Sequence, residues 1–189
     1  MLRSLCREHA SLQAEMAEIR NQMHALGHAY MKDDRCYKRL ESKLKFIKKQ
    51  EKTNKKDIED VIKKDKGLTA KVANITAIKG VGTISVATVI GETNGLSQTE
   101  KHGQIVSYAG YDVVENQTGK RTGKTRKSKK GNSHIRRVLH FPALNVVRYG
   151  KEPFASFHQR LMDNGKLKMQ VSCSPEKTTR THVGPLEEK

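Results

Sequence analysis

The sequence predicts a mainly α-helical protein, with long coiled-coil helices, a small helical domain bearing a basic loop or short β-hairpin, and a disordered tail. Three observations predict this. Apolar residues recur every seven positions from Leu2 to Ile75, glycine-punctuated helical segments follow, and the stretch from Met169 onward has no apolar period. The expected boundaries are 1–70, 71–168 and 169–189. Composition agrees with an elongated chain. Only 35% of the 189 residues are apolar and 5% aromatic, which is little for one compact core of this length.

In the first segment one set of seam residues is Leu2, Met16, Met23, Tyr30, Tyr37, Leu44, Ile58 and Val72. The second is Leu5, Leu12, Ile19, Leu26, Leu40, Ile47, Val61, Leu68 and Ile75. His9, Asp33, Glu51, Asn54 and Asp65 interrupt the stripe. A 3.5-residue repeat with Glu, Lys and Arg elsewhere means helices that bury a narrow stripe against another helix. Gly27 weakens the helix and Asp33 and Asp34 put charge beside the seam, so a break is expected between Gly27 and Asp34. The pattern suits an antiparallel hairpin and an intermolecular coiled coil equally, the latter making a homo-oligomer.

The 37 Lys plus Arg outnumber the 20 Asp plus Glu, for a net charge of +17. Such an excess points to a polyanionic partner, because bound Lys and Arg release counterions from phosphates. No run of eighteen apolar residues occurs and Met1–Arg20 has no apolar leader core, so a cytoplasmic protein with no membrane partner is expected. Cys6, Cys36 and Cys173 match no metal or redox spacing, and the eight histidines give no paired ligands in a credible helical context. No metal site is expected in this chain.

From Ile75 to Glu92 the pattern reads helix, Gly80-Val81-Gly82 turn, helix, and resembles the helix-hairpin-helix motif. Two glycines serve a turn that needs positive φ and a backbone near enough for its N–H groups to meet a phosphate. The dipole of the helix starting near Thr83 adds positive charge there. An ordinary αα-hairpin with a glycine-rich turn gives the same pattern.

Asn116 to Arg137 contains Lys120, Arg121, Lys124, Arg126, Lys127, Lys129, Lys130, Arg136 and Arg137 and no acid. Gly119, Gly123 and Gly131 make Tyr111 to Lys130 a loop or short β-hairpin. A helix resumes at Asn132 or Ser133, with Pro142 expected to kink it. The loop is expected to lie along a nucleic-acid backbone, with the glycine turn and the loop forming one cradle. The hydroxyls of Thr118 and Ser128 lie inside this basic field, where cations would stabilise an alkoxide or a developing phosphoryl charge.

Four motifs now occur in order: Ile-Lys-Gly-Val-Gly-Thr-Ile-Ser-Val-Ala-Thr (78–88), Ser-Tyr-Ala-Gly-Tyr-Asp (107–112), Gln-Thr-Gly-Lys (117–120) and Ser-Lys-Lys-Gly-Asn-Ser-His-Ile-Arg-Arg (128–137). Together they resemble the C-terminal transposase domain of the IS-one-ten type of insertion sequence, over about Lys71 to Lys168. The resemblance implies DNA transposition by strand exchange, with a coiled coil for assembly, a serine nucleophile, an N-terminal acidic domain holding Mg2+, and a guide RNA from the element. It puts the nucleophile's position on Thr118, whose extra methyl restricts χ1 and crowds in-line attack, and a supporting hydroxyl on Ser128. The nucleic-acid contacts it leads one to expect are Gly80, Gly82, Thr83, the loop cations named above, Asn132, Arg136 and Arg137. Because the sequence opens in heptads with no acidic domain, a truncated transposase is expected, with no cofactor of its own and no activity alone. The alternatives are a non-catalytic DNA- or RNA-binding module and a coiled-coil regulator of an intact transposase.

Overall fold

A computed structural model of the chain describes residues 1–28, 34–95, 102–123, 125–150, 152 and 154–165. The expected tail, 169–189, lies outside the described residues, as do Tyr30, Asp33, Lys124 and Cys173. The described part is mainly helical and divides into two compact units, Met1–Lys66 and Gly67–Lys189. Among the described residues no helix is long and apolar enough to cross a membrane.

The first unit is a helical hairpin. Helix α1 runs Leu2–Gly27 and α2 runs Asp34–Lys64, so the chain breaks where Gly27 and the aspartates predict. The two helices pack antiparallel: Gln13 Nε2 donates to Glu51 Oε1 at 2.9 Å, and Asn54 Nδ2 donates to the Leu5 carbonyl at 3.2 Å and to Glu8 Oε2 at 3.1 Å. Leu12, Met16, Ile19, Leu44 and Ile47 form the core between them, flanked by Met23 and Leu40. The stripe therefore finds its partner within the same chain. Polar seam residues Glu51 and Asn54 are buried, and a polar pair inside a helix seam fixes register at some cost in stability.

The stripe departs from its expected course in three places. Tyr37 is exposed, and beyond Ile58 the buried residue is Ile62 rather than Val61, a four-residue step closer to the 3.6-residue helix period. The last seam residues, Leu68, Val72 and Ile75, fall on a separate helix, α3 (Lys66–Thr76), in the second unit.

In that unit α4 (Thr83–Glu92) is the central helix, buried continuously from Val86 to Glu92. Its run of apolar and hydroxyl residues tolerates burial because Thr88 Oγ1 donates to the Ile84 carbonyl and Thr93 Oγ1 to that of Val89, both at 2.8 Å. Helix α5 (His102–Tyr108) and α6 (Ser133–Arg148) close the core, in which Val89, Ala109, Tyr111, Ile135 and Leu139 pack together. Helix α6 runs as one element through Pro142, which is buried, and α7 (Phe154–Asp163) packs on it. Between α5 and α6 lie four two-residue strands, described next because they carry the basic residues.

Candidate nucleic-acid interface

The basic stretch folds as a β-hairpin with two short antiparallel ladders. Near its base β1 (Val113–Val114) pairs with β4 (Arg126–Lys127), and near its tip β2 (Gln117–Thr118) pairs with β3 (Arg121–Thr122). Thr118 faces Arg121, leaving Gly119 and Lys120 as a two-residue turn. Gly119 has φ +58°, the left-handed value that a type II′ turn needs at its first central position. Strands this short bury no face of their own, so the side chains of Lys120, Arg121, Arg126, Lys129 and Lys130 are exposed. Lys129 is the unusual one, at φ +55°. Its amide donates to the Gly110 carbonyl at 3.0 Å, which holds the left-handed backbone in place. Lys124 lies outside the described residues.

At the base, the segments 107–112 and 128–137 interlock through their backbones. Gly110 has φ +72°, and a Cβ there would come within 2.5 Å of the Gly131 amide; a Cβ on Gly131 would overlap the Tyr108 carbonyl. Only glycine at both positions lets the chains approach this closely. Asn132 then starts α6. Its Oδ1 accepts from the amides of His134 and Ile135 at 2.9 and 3.2 Å, and its Nδ2 donates to the buried Glu92 carboxylate at 2.8 Å. Arg136 Nη1 donates to the carbonyls of Ala109 and Gly131 at 2.7 and 2.8 Å.

These contacts add a structural role to two expected site residues. Asn132 and Arg136 hold the hairpin base to the core and are half-buried, and Arg137 is exposed. Lys127 Nζ lies over the Tyr111 ring, 5.2 Å from its centre. Burial pushes the Tyr111 phenol up to about 12, with the Arg136 charge opposing that shift, so the hydroxyl stays protonated at neutral pH. Glu92 is the residue that sequence reasoning passed over. Its signal was a single acid ending an otherwise uncharged helix.

The glycine turn is built differently from expectation. Gly80 has φ +106°, but Gly82 is extended at φ −86° and caps α4 with no side-chain hydrogen bond. Glycine at 80 answers both its positive φ and the packing, since a Cβ would lie 3.0 Å from Asn145 Cβ and 3.4 Å from the Tyr149 ring. Beside it Lys79 Nζ sits 4.8 Å from the Tyr149 ring centre. The first amides of α4, at Thr83 and Ile84, have no acceptor within the helix by its geometry. The turn thus rests on the C-terminal end of α6 and the hairpin base on its N-terminal end. From Asn132 to Asn145 the helix rises about 20 Å, so the glycine turn and the hairpin base lie near opposite ends of α6, a span of about six nucleotide steps.

The two hydroxyls are also separated. Thr118 is exposed near the hairpin tip, and among the described residues no base is hydrogen-bonded to it. Ser128 sits at the base, its amide donating to the Asp112 carbonyl at 2.8 Å. Six residue steps run from Asp112 to Thr118, about 20 Å for an extended chain, which sets the two hydroxyls well apart along the hairpin. Ser128 instead shares a groove of about 760 Å³ with Ser107, Tyr108, Asp112, Lys130 and Asn132. There Ser107 Oγ donates to Asp112 Oδ2 at 2.7 Å.

Residues 72–159, which contain the turn, the hairpin and the interlocked glycines, match the model of the transposase IS116/IS110/IS902 family. This stretch is an IS110-type transposase C-terminal domain. The four ordered motifs that carried the resemblance all lie within it, and the glycine interlock brings two of them into contact. None of the curated proteins is a significant match to the sequence. A transposase-related function follows from the domain. The Mg2+ that the resemblance implies does not fit the described residues, in which no three His, Cys, Asp or Glu are grouped to hold a metal. No step through a metal is assigned to them.

Proposed function

We propose that this chain is the nucleic-acid-binding C-terminal part of a DNA transposition enzyme, and that by itself it binds DNA without exchanging strands. The observation that supports this reading most is the hairpin 113–127. It projects exposed cations from a transposase domain, with Glu115 its one acid and none in the sequence from Asn116 to Arg137. DNA lies along the hairpin and reaches the α4 amides at the far end of α6. Contacts of this kind read the backbone and not the bases. Thr118 offers an accessible hydroxyl near the tip, but a threonine hydroxyl is a weak nucleophile until a base or metal activates it. Strand exchange accordingly depends on acidic residues that the family's full-length enzyme supplies.

The test is duplex binding across a salt series. Affinity that falls steeply with salt supports the reading, and absent or salt-independent binding removes it. Cleavage of element-end DNA by this chain with Mg2+, lost in Thr118→Ala and kept in Thr118→Ser, would replace it with a catalytic one. The regulator alternative has less support. Helices α1 and α2 cover each other's apolar stripe within one chain, which leaves less seam for mixing with an intact transposase.

A further inference from the structure

His24 and His28 lie at the C-terminal end of α1, four residues apart, with His28 the C-cap. Both side chains are exposed. Their Nε2 atoms face each other at 3.3 Å and the ring centres are 4.5 Å apart. Sequence reading dismissed this pair for want of a helical context, and the structure supplies that context. Two imidazole nitrogens at metal–nitrogen distances of about 2.0–2.1 Å and a tetrahedral angle stand about 3.3–3.4 Å apart. The observed separation is that bite, and it exceeds the roughly 3.0 Å of a right-angled pair.

We infer that His24 and His28 form a two-point clip for a tetrahedral divalent transition metal, Zn2+ first. Imidazole suits this class of ion. The last carbonyls of α1 place partial negative charge at the same end of the helix, which favours a cation there. Two protein ligands leave the remaining positions to water, so the site is open and exchangeable, unlike the four-ligand sites that fold small domains. Its effect is local. A bound ion ties the last turn of α1 to its cap, beside the point where the chain leaves for α2. This site is independent of the DNA-binding reading.

The experiment is thermal unfolding of the full chain, metal-free and with Zn2+, alongside His24→Ala, His28→Ala and the double variant. With Zn2+ in tenfold excess over its dissociation constant, the wild-type midpoint should rise by about 3 °C. Each single variant should lose most of that rise, and chelator should reverse it in the wild type. Direct zinc titration by calorimetry should show one site fewer in the double variant. An equal response in wild type and double variant would overturn the inference. So would no response in either, which would leave the pair as a simple imidazole–imidazole hydrogen bond.

Discussion

The helical hairpin of residues 1–66 and the transposase unit that follows are both rich in cations, yet they dispose of charge in opposite ways. On α2 the lysines stand among acids: Lys45 pairs with Glu41 at 3.1 Å and Lys55 with Glu51. The exposed Lys45–Glu41 pair contributes little to stability, whereas Lys55 reaches the buried Glu51. In the basic hairpin of the second unit no acid lies between Asn116 and Arg137, so the cations there outnumber the one acid of the hairpin, Glu115. High lysine content alone does not mark a nucleic-acid surface. Cations held together without acids do. The first region is held by a repeating side-chain stripe, whereas in the second the hairpin base joins the core through a few backbone contacts that a single methyl group would break.

The largest expected effect follows from that last difference. Gly131→Ala forces a Cβ into the Tyr108 carbonyl and should destabilise the second unit by at least about 3 kcal/mol. An alanine at Gly119, where a Cβ meets nothing within 4 Å, should cost only about 1–2 kcal/mol for its left-handed φ. Denaturant midpoints for both variants check the ranking, and equal losses would mean that the interlock is not what holds the hairpin base.

This contrast also explains what was legible in the sequence. The stripe on α1 and α2 could be read because burial repeats with the helix period, and so could the break after Gly27. Pairing within the chain could not, since the same stripe fits a second copy. The interlock of Gly110 with Gly131 was carried only by the ordered motifs, because contact between residues far apart in sequence leaves no local period. Asn132 was legible as a helix cap, but its bond to Glu92 was not, and that bond makes the residue a fixture of the fold as well. Arg136 is similar: charge can be read from sequence, but whether carbonyls already surround it cannot.

Smaller effects sharpen the picture of the arm. Asn54→Leu should stabilise the hairpin by about 1 kcal/mol while loosening its register, detectable as a higher denaturant midpoint together with new oligomers in light scattering. The buried polar layer should also make the arm acid-sensitive. Burial lowers the pKa of His9 below 6.5, although the Glu51 charge opposes it. For Glu51, burial works to raise the pKa, but hydrogen bonding and charge from Lys55, helped by His9 and Gln13, outweigh it and leave the value below 4.5. In both cases the unfolded chain binds protons more readily than the folded one. The stability from His9 is therefore complete above about pH 6.5 and lost as pH falls through its folded value, and that from Glu51 is lost further down, below about pH 4.5. Unfolding midpoints at stepped pH, compared with His9→Gln, should show the upper step vanish in the variant. The smallest change is Lys129→Gly, which relieves the left-handed backbone by up to about 1 kcal/mol while removing one phosphate contact. It should raise stability slightly and lower the salt slope by about 0.9.

The most direct measurement sets the two cationic regions against each other at equal charge. One variant replaces Lys120, Arg121, Arg126, Lys129 and Lys130 by Ala, and the other replaces Lys48, Lys49, Lys52, Lys56 and Lys63. Duplex affinity is then followed across salt concentrations. The hairpin variant should lose affinity and flatten the salt slope by up to about 4.5, while the arm variant keeps nearly the wild-type slope. A flattened slope in the arm variant with an unchanged one in the hairpin variant would contradict the account.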